Sequence, residues 1–252
     1  MIARVNILGV QVSAINMAEA VQSVSEWIAH RDPHYVCVTP AHGIMDCQNN
    51  PELQRIFNHS GLITPDGMAI VWLLKLRGYE HVERVYGPDL MLAVCAYGIE
   101  HNWRHFFYGG APGVSKTLIE KLRHRLPMLQ VVGHYSPPFR PLTIQEDQDV
   151  VDMIQAAKPD ILWMGISTPK QEIWMNAHVE ELNVPALVGV GAAFDFLSGK
   201  KKQAPRWIQR SGFEWLFRLF SEPKRLWRRY IRYPTFALLT IFQLLGMKNY
   251  GD

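Results

Sequence analysis

HFFYGGAPGVSKTLIEKLRHRLPMLQVVG, residues 105–133, holds a complete strand–turn–helix–strand unit. His105–Tyr108 is a short apolar and aromatic run of the kind that packs on a pleated surface. A glycine-rich turn follows at Tyr108-Gly-Gly-Ala-Pro-Gly113, then a helical pattern over Val114–Leu126 and a second β-rich run at Gln130–Gly133. Strands joined through a helix become parallel neighbours.

The same alternation extends in both directions. Further strand candidates are Val5–Val10, Tyr35–Thr39, Gly61–Thr64, Ile161–Met164 and Ala186–Val190. Helical windows cover Met17–His30, Pro51–His59, Met68–Arg77, Asp89–His101, Ile144–Ala157 and Lys170–Glu180. Several strand runs are apolar almost throughout, as strands covered on both faces are. The pattern predicts an α/β fold: a Rossmann-like, mostly parallel sheet with helices on both faces.

Composition bounds the class. With 48% hydrophobic and 19% charged residues, the 252-residue chain is globular, not disordered, and fills one large domain or a domain with an appendage. Cys37, Cys47 and Cys95 are odd in number and lack CxxC spacing, which excludes a disulfide framework and a zinc site and points to a reducing cytoplasm. The opening MIARVNILGV has no signal-peptide core. The nearest approach to a membrane span, Tyr233–Met247, has 15 residues against the ~20 that a spanning helix needs, so a buried or interfacial helix is expected there.

Composition changes near Ser198. From there to Arg232 stand eleven Lys or Arg, opposed by Glu214 and Glu222 alone, and interleaved with Trp207, Phe213, Trp215, Phe217, Phe220 and Trp227. The division expected is an α/β catalytic domain over 1–197 and a helical, basic, membrane-associating appendage over 198–252. On a continuous helix Arg218, Arg225 and Arg229 share one face, with Arg228 and Arg232 flanking it. Such a segment suits an anionic membrane surface. Nucleic acid would use similar residues and a solvated basic face is the plainer alternative, but the aromatic density and the apolar run after Tyr233 favour membrane over nucleic acid.

Three strand ends could carry chemistry. The Gly109, Gly110, Ala111 turn opens a helix, where backbone N–H groups and the helix terminus can meet a diphosphate; a tight βα turn explains the same residues. It lacks both the P-loop ending and the dinucleotide GxGxxG spacing. Asp66, in Thr64-Pro-Asp-Gly67, stands where a general base would, or caps the next helix. Lys170 and Gln171, in Gly165-Ile-Ser-Thr-Pro-Lys-Gln-Glu172, can bind phosphate and sugar hydroxyls, with Thr168 as the expected N-cap of that helix. Among ten histidines, His42 and His105 lie near strand ends and could bind ligand. No paired-ligand spacing and no DxD motif is present, so no metal and no cofactor is assigned.

In this order, TPDGMAIVWLLKLRG, ERVYGPDLM, FFYGGAPGVSK, GHYSPPF, MGISTPKQEIW and GVGAAFDFLSGKKKQAPRWIQRSGFEWLFRLFSEPKRLWRRY resemble the WecG/TagA/CpsF family of bacterial glycosyltransferases. The resemblance covers nearly the whole chain. It implies a metal-independent, inverting enzyme with a UDP-sugar donor and a polyprenyl-diphosphate-linked acceptor, working in surface polysaccharide synthesis as a peripheral protein on the cytoplasmic face of the bacterial inner membrane. Carried over by position, Asp66 matches the catalytic base, Arg84 an active-site arginine and Gln171 a glutamine near the donor sugar. Gly109, Gly110, Ala111, Tyr135 and Asp195 fall in regions resembling the nucleotide pocket, with Thr39, His42 and Lys170 beside them. Arg218, Arg225 and Arg228 match arginines of an appendage that closes over the diphosphate. Where some members carry Thr-x-Asn, this chain has Thr39-Pro-Ala41-His42, so the sugars it handles are not copied from other members. A noncatalytic nucleotide-sugar or membrane-binding protein is the rival reading, an NAD-dependent oxidoreductase a weak second, and homo-oligomerisation is left open.

Overall fold

A computed structural model gives the fold and describes residues 2–251. The chain opens with β1 (Arg4–Ile7) and β2 (Val10–Ser13), then α1 (Met17–His30), β3 (His34–Thr39), α2 (Ala41–Cys47), α3 (Pro51–His59) and β4 (Leu62–Pro65). It continues with α4 (Met68–Leu76), α5 (Gly87–Glu100), β5 (Arg104–Gly109), α6 (Val114–Arg125), β6 (Gln130–Tyr135) and α7 (Ile144–Ala157). The body ends with β7 (Ile161–Gly165), α8 (Lys170–Leu182), β8 (Ala186–Gly189) and α9 (Ala193–Leu197). The basic tail folds as α10 (Arg206–Arg210), α11 (Glu214–Ser221), α12 (Pro223–Tyr230) and α13 (Tyr233–Leu244).

Six strands form one sheet in the order β4-β3-β8-β7-β5-β6, and every pairing is parallel. This is the α/β fold with a helical C-terminal extension expected from the sequence. Side chains alternate between faces along a strand, and here both faces are dry. Tyr35 and Cys37 of β3 join a core with α3, α4, α7 and α8, while Val36 and Val38 join the opposite core with α1, α5 and α6. Along β7, Leu162 and Met164 face the first core and Ile161 and Trp163 the second. That double burial is why the strands read as unbroken apolar runs.

Helix ends follow local chemistry. Asn16 with Glu19 and Thr143 with Glu146 form capping boxes at the starts of α1 and α7, each satisfying two otherwise orphaned backbone donors.

Three expectations need correction. Val5–Val10 is not one strand. Leu8 and Gly9 take positive φ (52° and 86°), and the chain reverses into an antiparallel β1–β2 hairpin outside the main sheet. Helix α2, which carries His42, was not foreseen. The tail is not one helix either: the backbone breaks at Glu222 (φ −139°, ψ 58°) and Pro223 starts α12 afresh. Nor does the tail end free. Leu8 N–H donates to Gln243 Oε1 (3.0 Å), Gln243 Nε2 donates to the Asn6 carbonyl (3.1 Å), and Arg232 pairs with Asp46 (2.5 Å). Among the described residues, no helix is long and apolar enough to cross a membrane.

Candidate active site

The carboxyl ends of β3, β4, β7 and β8 open into one cavity roofed by α11 and α12. Parallel α/β sheets leave ligand room at this edge, because loops there can diverge while the strands stay fixed.

Asp66 follows directly on the buried strand β4. Its backbone N–H donates to the Thr39 carbonyl (3.2 Å), prolonging the β3–β4 ladder by one residue. Gly67, not Asp66, is the N-cap of α4, and no side chain caps that helix. The carboxylate is therefore released from the capping role that its sequence context allowed. Arg84 holds it from behind: Nη2 lies 3.3 Å from Asp66 Oδ1, Nε donates to the Asp66 carbonyl, and Nη1 lies 2.6 Å from Glu214 at the start of α11. The guanidinium rests 4.2 Å above the Tyr86 ring. Burial pushes the Asp66 carboxyl above its usual range, Arg84 pulls it down, and Glu214 adds a further upward push.

Gln171, in the first turn of α8, is buried. Its Nε2 donates to Glu172 Oε1 (3.0 Å), which also accepts from Thr168 Oγ1 (2.9 Å). Thr168 thus orients Glu172 instead of capping the helix. These bonds fix the Gln171 amide, and its Oε1, on the cavity wall, has no protein partner. Glu172 is fully buried, and burial lifts its carboxyl to about 7 against the pull of those hydrogen bonds.

His42 lines the same cavity with Nδ1 unpartnered. Burial, then the nearby Arg229 and Arg218, push its titration down to about 3, so the ring is neutral and offers one donor and one acceptor.

The cationic roof comes from the helix break. Arg218 on α11 and Arg225 and Arg229 on α12 converge on the cavity from two helices. Arg225 is braced by Glu222 (2.6 and 2.7 Å), and Arg229 Nη2 approaches Ser167 Oγ (3.4 Å). Lys201 sits between Asp195 (2.8 Å) and Glu222 (3.2 Å), tying body to roof. The first turn of the 14-residue helix α5 contributes Gly87 and Pro88 to the lining. A helix N-terminus and three guanidinium groups on one cavity wall are the chemistry that suits an anion.

The cavity unites Asp66, Gln171, His42, Asp195, Arg218 and Arg225 from the sequence reading. Arg84 stands one ion pair behind Asp66. Other candidates lie outside the lining. The Thr39 hydroxyl is buried and donates to the Cys37 carbonyl (2.9 Å). Lys170 and Arg228 are exposed. Tyr135, on the edge strand β6, packs against Tyr108. The Gly109-Gly110-Ala111 turn has a packing reason: a Cβ at Gly109 (φ 141°) would stand 2.6 Å from the Gly165 backbone, and Gly110 N–H donates to the Gly165 carbonyl (3.1 Å). His105 belongs to the core, where it accepts from Trp163 Nε1 (3.1 Å). Sequence reasoning missed Arg229, Lys201 and Glu214 as parts of the site. Helical spacing had already grouped the first with Arg218 and Arg225, but the resemblance carried over Arg228 in its place. Nothing local pairs Glu214 with Arg84.

The model of the glycosyl transferase WecG/TagA/CpsF family matches residues 5–250. Among curated proteins, the chain is 28% identical over 237 residues to an N-acetylglucosaminyldiphosphoundecaprenol N-acetyl-beta-D-mannosaminyltransferase of Bacillus spizizenii, covering 90% of each chain. Proteins of the same name from Bacillus subtilis and Staphylococcus aureus are 27% identical (77% of this chain, 74% of the relative) and 25% identical (90% and 88%).

Proposed function

The chain belongs to the WecG/TagA/CpsF family of glycosyl transferases, and from that premise we propose that it moves a sugar from a UDP-sugar to a polyprenyl-diphosphate-linked acceptor sugar, with inversion and without a metal. The carrying observation is Asp66 in one cavity with Arg218, Arg225 and Arg229. A base and a cluster of three guanidinium groups thus flank the same space. The relatives' name supports a lipid-diphosphate acceptor. His42 and Ala41 leave the identity of the transferred sugar to experiment.

In the proposed step, Asp66 takes the proton from the acceptor hydroxyl, whose oxygen forms the new bond to the anomeric carbon as the bond to UDP breaks. UDP leaves with the electron pair on its diphosphate. Fixed cations and helix-terminal donors stabilise that charge as it develops, the task a metal performs elsewhere. Burial holds the Asp66 carboxyl above its usual range, which makes it a stronger base than an exposed aspartate. Gln171 Oε1 and neutral His42 are set to hydrogen-bond the donor. Exposed Trp207, Phe220, Trp227 and Ile231, interleaved with exposed Arg206, Lys224 and Arg228, support docking on an anionic membrane at the cytoplasmic face, with the chain lying on the bilayer.

The test is UDP release from a panel of UDP-sugars with polyprenyl-diphosphate-linked sugars as acceptors. Asp66→Asn should lower turnover by about 10²–10⁴-fold, the usual worth of a general base, with UDP affinity unchanged. Wild-type turnover in that variant removes Asp66 from the mechanism. UDP binding without turnover by the unaltered protein on every acceptor returns the chain to a noncatalytic binding role.

A further inference from the structure

Asp66 has cavities on two sides. Besides the cationic cavity, it borders a second one of about 260 Å³, twice the roughly 130 Å³ of the first, and Pro40 and Arg218 also border both. Their chemistry differs. The second is walled by Met68 and Trp72 of α4, Phe213 just before α11, Trp215 within it, and Tyr230 and Tyr233. Trp215, Tyr230 and Tyr233 form one cluster with ring centroids 5.0–5.9 Å apart. Body and tail meet at its rim, where a Cβ on Gly212 would lie 2.5 Å from the Trp72 ring. Trp72 and Phe213 are about half exposed (48% and 59%), and Leu76, one turn beyond Trp72 on α4, is 74% exposed. An apolar track therefore leads from the aromatic cluster to the surface.

An inverting displacement places acceptor and leaving group on opposite sides of the reacting carbon, with the base on the acceptor's side. Once the cationic cavity is given to the donor diphosphate, the acceptor must reach Asp66 from the other face. Aromatic rings pack against the C–H faces of a pyranose while their edges and hydroxyls meet polar groups. An exposed Trp–Phe–Leu track suits a hydrocarbon chain leaving for a lipid phase.

We propose that this second cavity receives the acceptor, with its sugar ring on the Trp215–Tyr230–Tyr233 cluster, a hydroxyl toward Asp66, and its hydrocarbon leaving past Trp72 and Phe213. About half of that cavity's wall comes from the tail, including its aromatic cluster, so the tail helps select the acceptor as well as neutralising the donor. The assignment rests on the glycosyl-transfer reading above and deepens it.

The test uses the full chain and two probes: N-acetylglucosaminyl-diphospho-undecaprenol and its water-soluble short-alkyl analogue. Trp72→Ala, a surface change that leaves the core intact, should raise KM for the long-chain acceptor by about tenfold. KM for the short-chain analogue and for the UDP-sugar should move far less. Trp215→Ala should weaken both acceptors, and Trp215→Phe, which keeps the packing, should restore much of the loss. Equilibrium binding of the short-chain analogue, without donor, should weaken in Trp215→Ala by a similar factor. Unchanged acceptor KM and binding in these variants, or a change confined to the UDP-sugar, overturns the assignment while leaving glycosyl transfer standing. Loss of vesicle binding by Trp72→Ala with both acceptor constants intact also overturns it, making the rim a membrane contact only. Acceptor binding by the unaltered protein without turnover on any UDP-sugar would instead defeat the transfer reading and keep the cavity.

Discussion

Replacing Glu172 by glutamine should make the protein more stable in mild alkali relative to acid. Glu172 is fully buried, and its carboxyl is lifted from an ordinary 4.5 to about 7. A lift of that size means that burying the ionised form costs about 3 kcal/mol. Below the lower value both folded and unfolded chains hold the proton, and the group does not oppose folding. As the pH rises the unfolded chain ionises first, so stability falls, and above the higher value the full loss of about 3 kcal/mol is present. The amide introduced by Glu172→Gln cannot ionise. Its oxygen can still accept from Thr168, while its N–H₂ replaces an oxygen that has no partner, a pH-independent penalty of about 1–3 kcal/mol. Urea unfolding of both proteins at about pH 5 and about pH 8.5 separates the two effects, because the variant-minus-wild-type difference should open by about 2–3 kcal/mol toward alkali. His42 and His105 titrate in both proteins and cancel. A difference that stays constant with pH would refute the reasoning, since Glu172 would then carry no ionisation penalty. The retained oxygen can also still accept from Gln171 Nε2, so the orientation of the Gln171 amide should survive the substitution.

Two further outcomes follow from the roof and the sheet. Arg229→Gln should weaken UDP binding by about tenfold and make it less sensitive to salt, whereas exposed Arg228→Gln should leave it unchanged; calorimetric titration with UDP decides, and the reverse ranking would favour the arginine that the family resemblance carried over. Gly109→Ala should lower Tm by about 6–12 °C, the effect of roughly 3 kcal/mol in a chain of this length, because the new methyl meets the Gly165 backbone at positive φ; an unshifted melt would sink the close-approach argument.

The body was legible because its strands are buried on both sides, which writes Tyr35–Thr39 and Ile161–Met164 as unbroken apolar runs between amphipathic helices. The hairpin was hidden by the same property. Val5, Ile7, Val10 and Val12 are all buried, and a reversal at Leu8-Gly9 leaves only one glycine as its signal. The site was partly legible, since Asp66 follows β4 directly and Gln171 stands in the first turn of the helix after β7. Its electrostatics were not. Arg84 meets Glu214 across 130 positions of sequence, and periodicity within a segment carries no information about such a pair. In the tail, helical spacing grouped Arg218, Arg225 and Arg229, the three that line the cavity, whereas the family resemblance pointed to Arg228, which is exposed.

The position of Arg84 has a consequence for how such proteins can be recombined. One guanidinium serves two carboxylates, Asp66 from the body and Glu214 from the tail. A chimera that takes its tail from another family member lacking an acid at the Glu214 position would leave Arg84 wholly to Asp66, weakening the base without touching it. Body and tail are then inherited as a matched set. A working graft either joins the chains after Glu214 or brings in a tail that carries its own acid there.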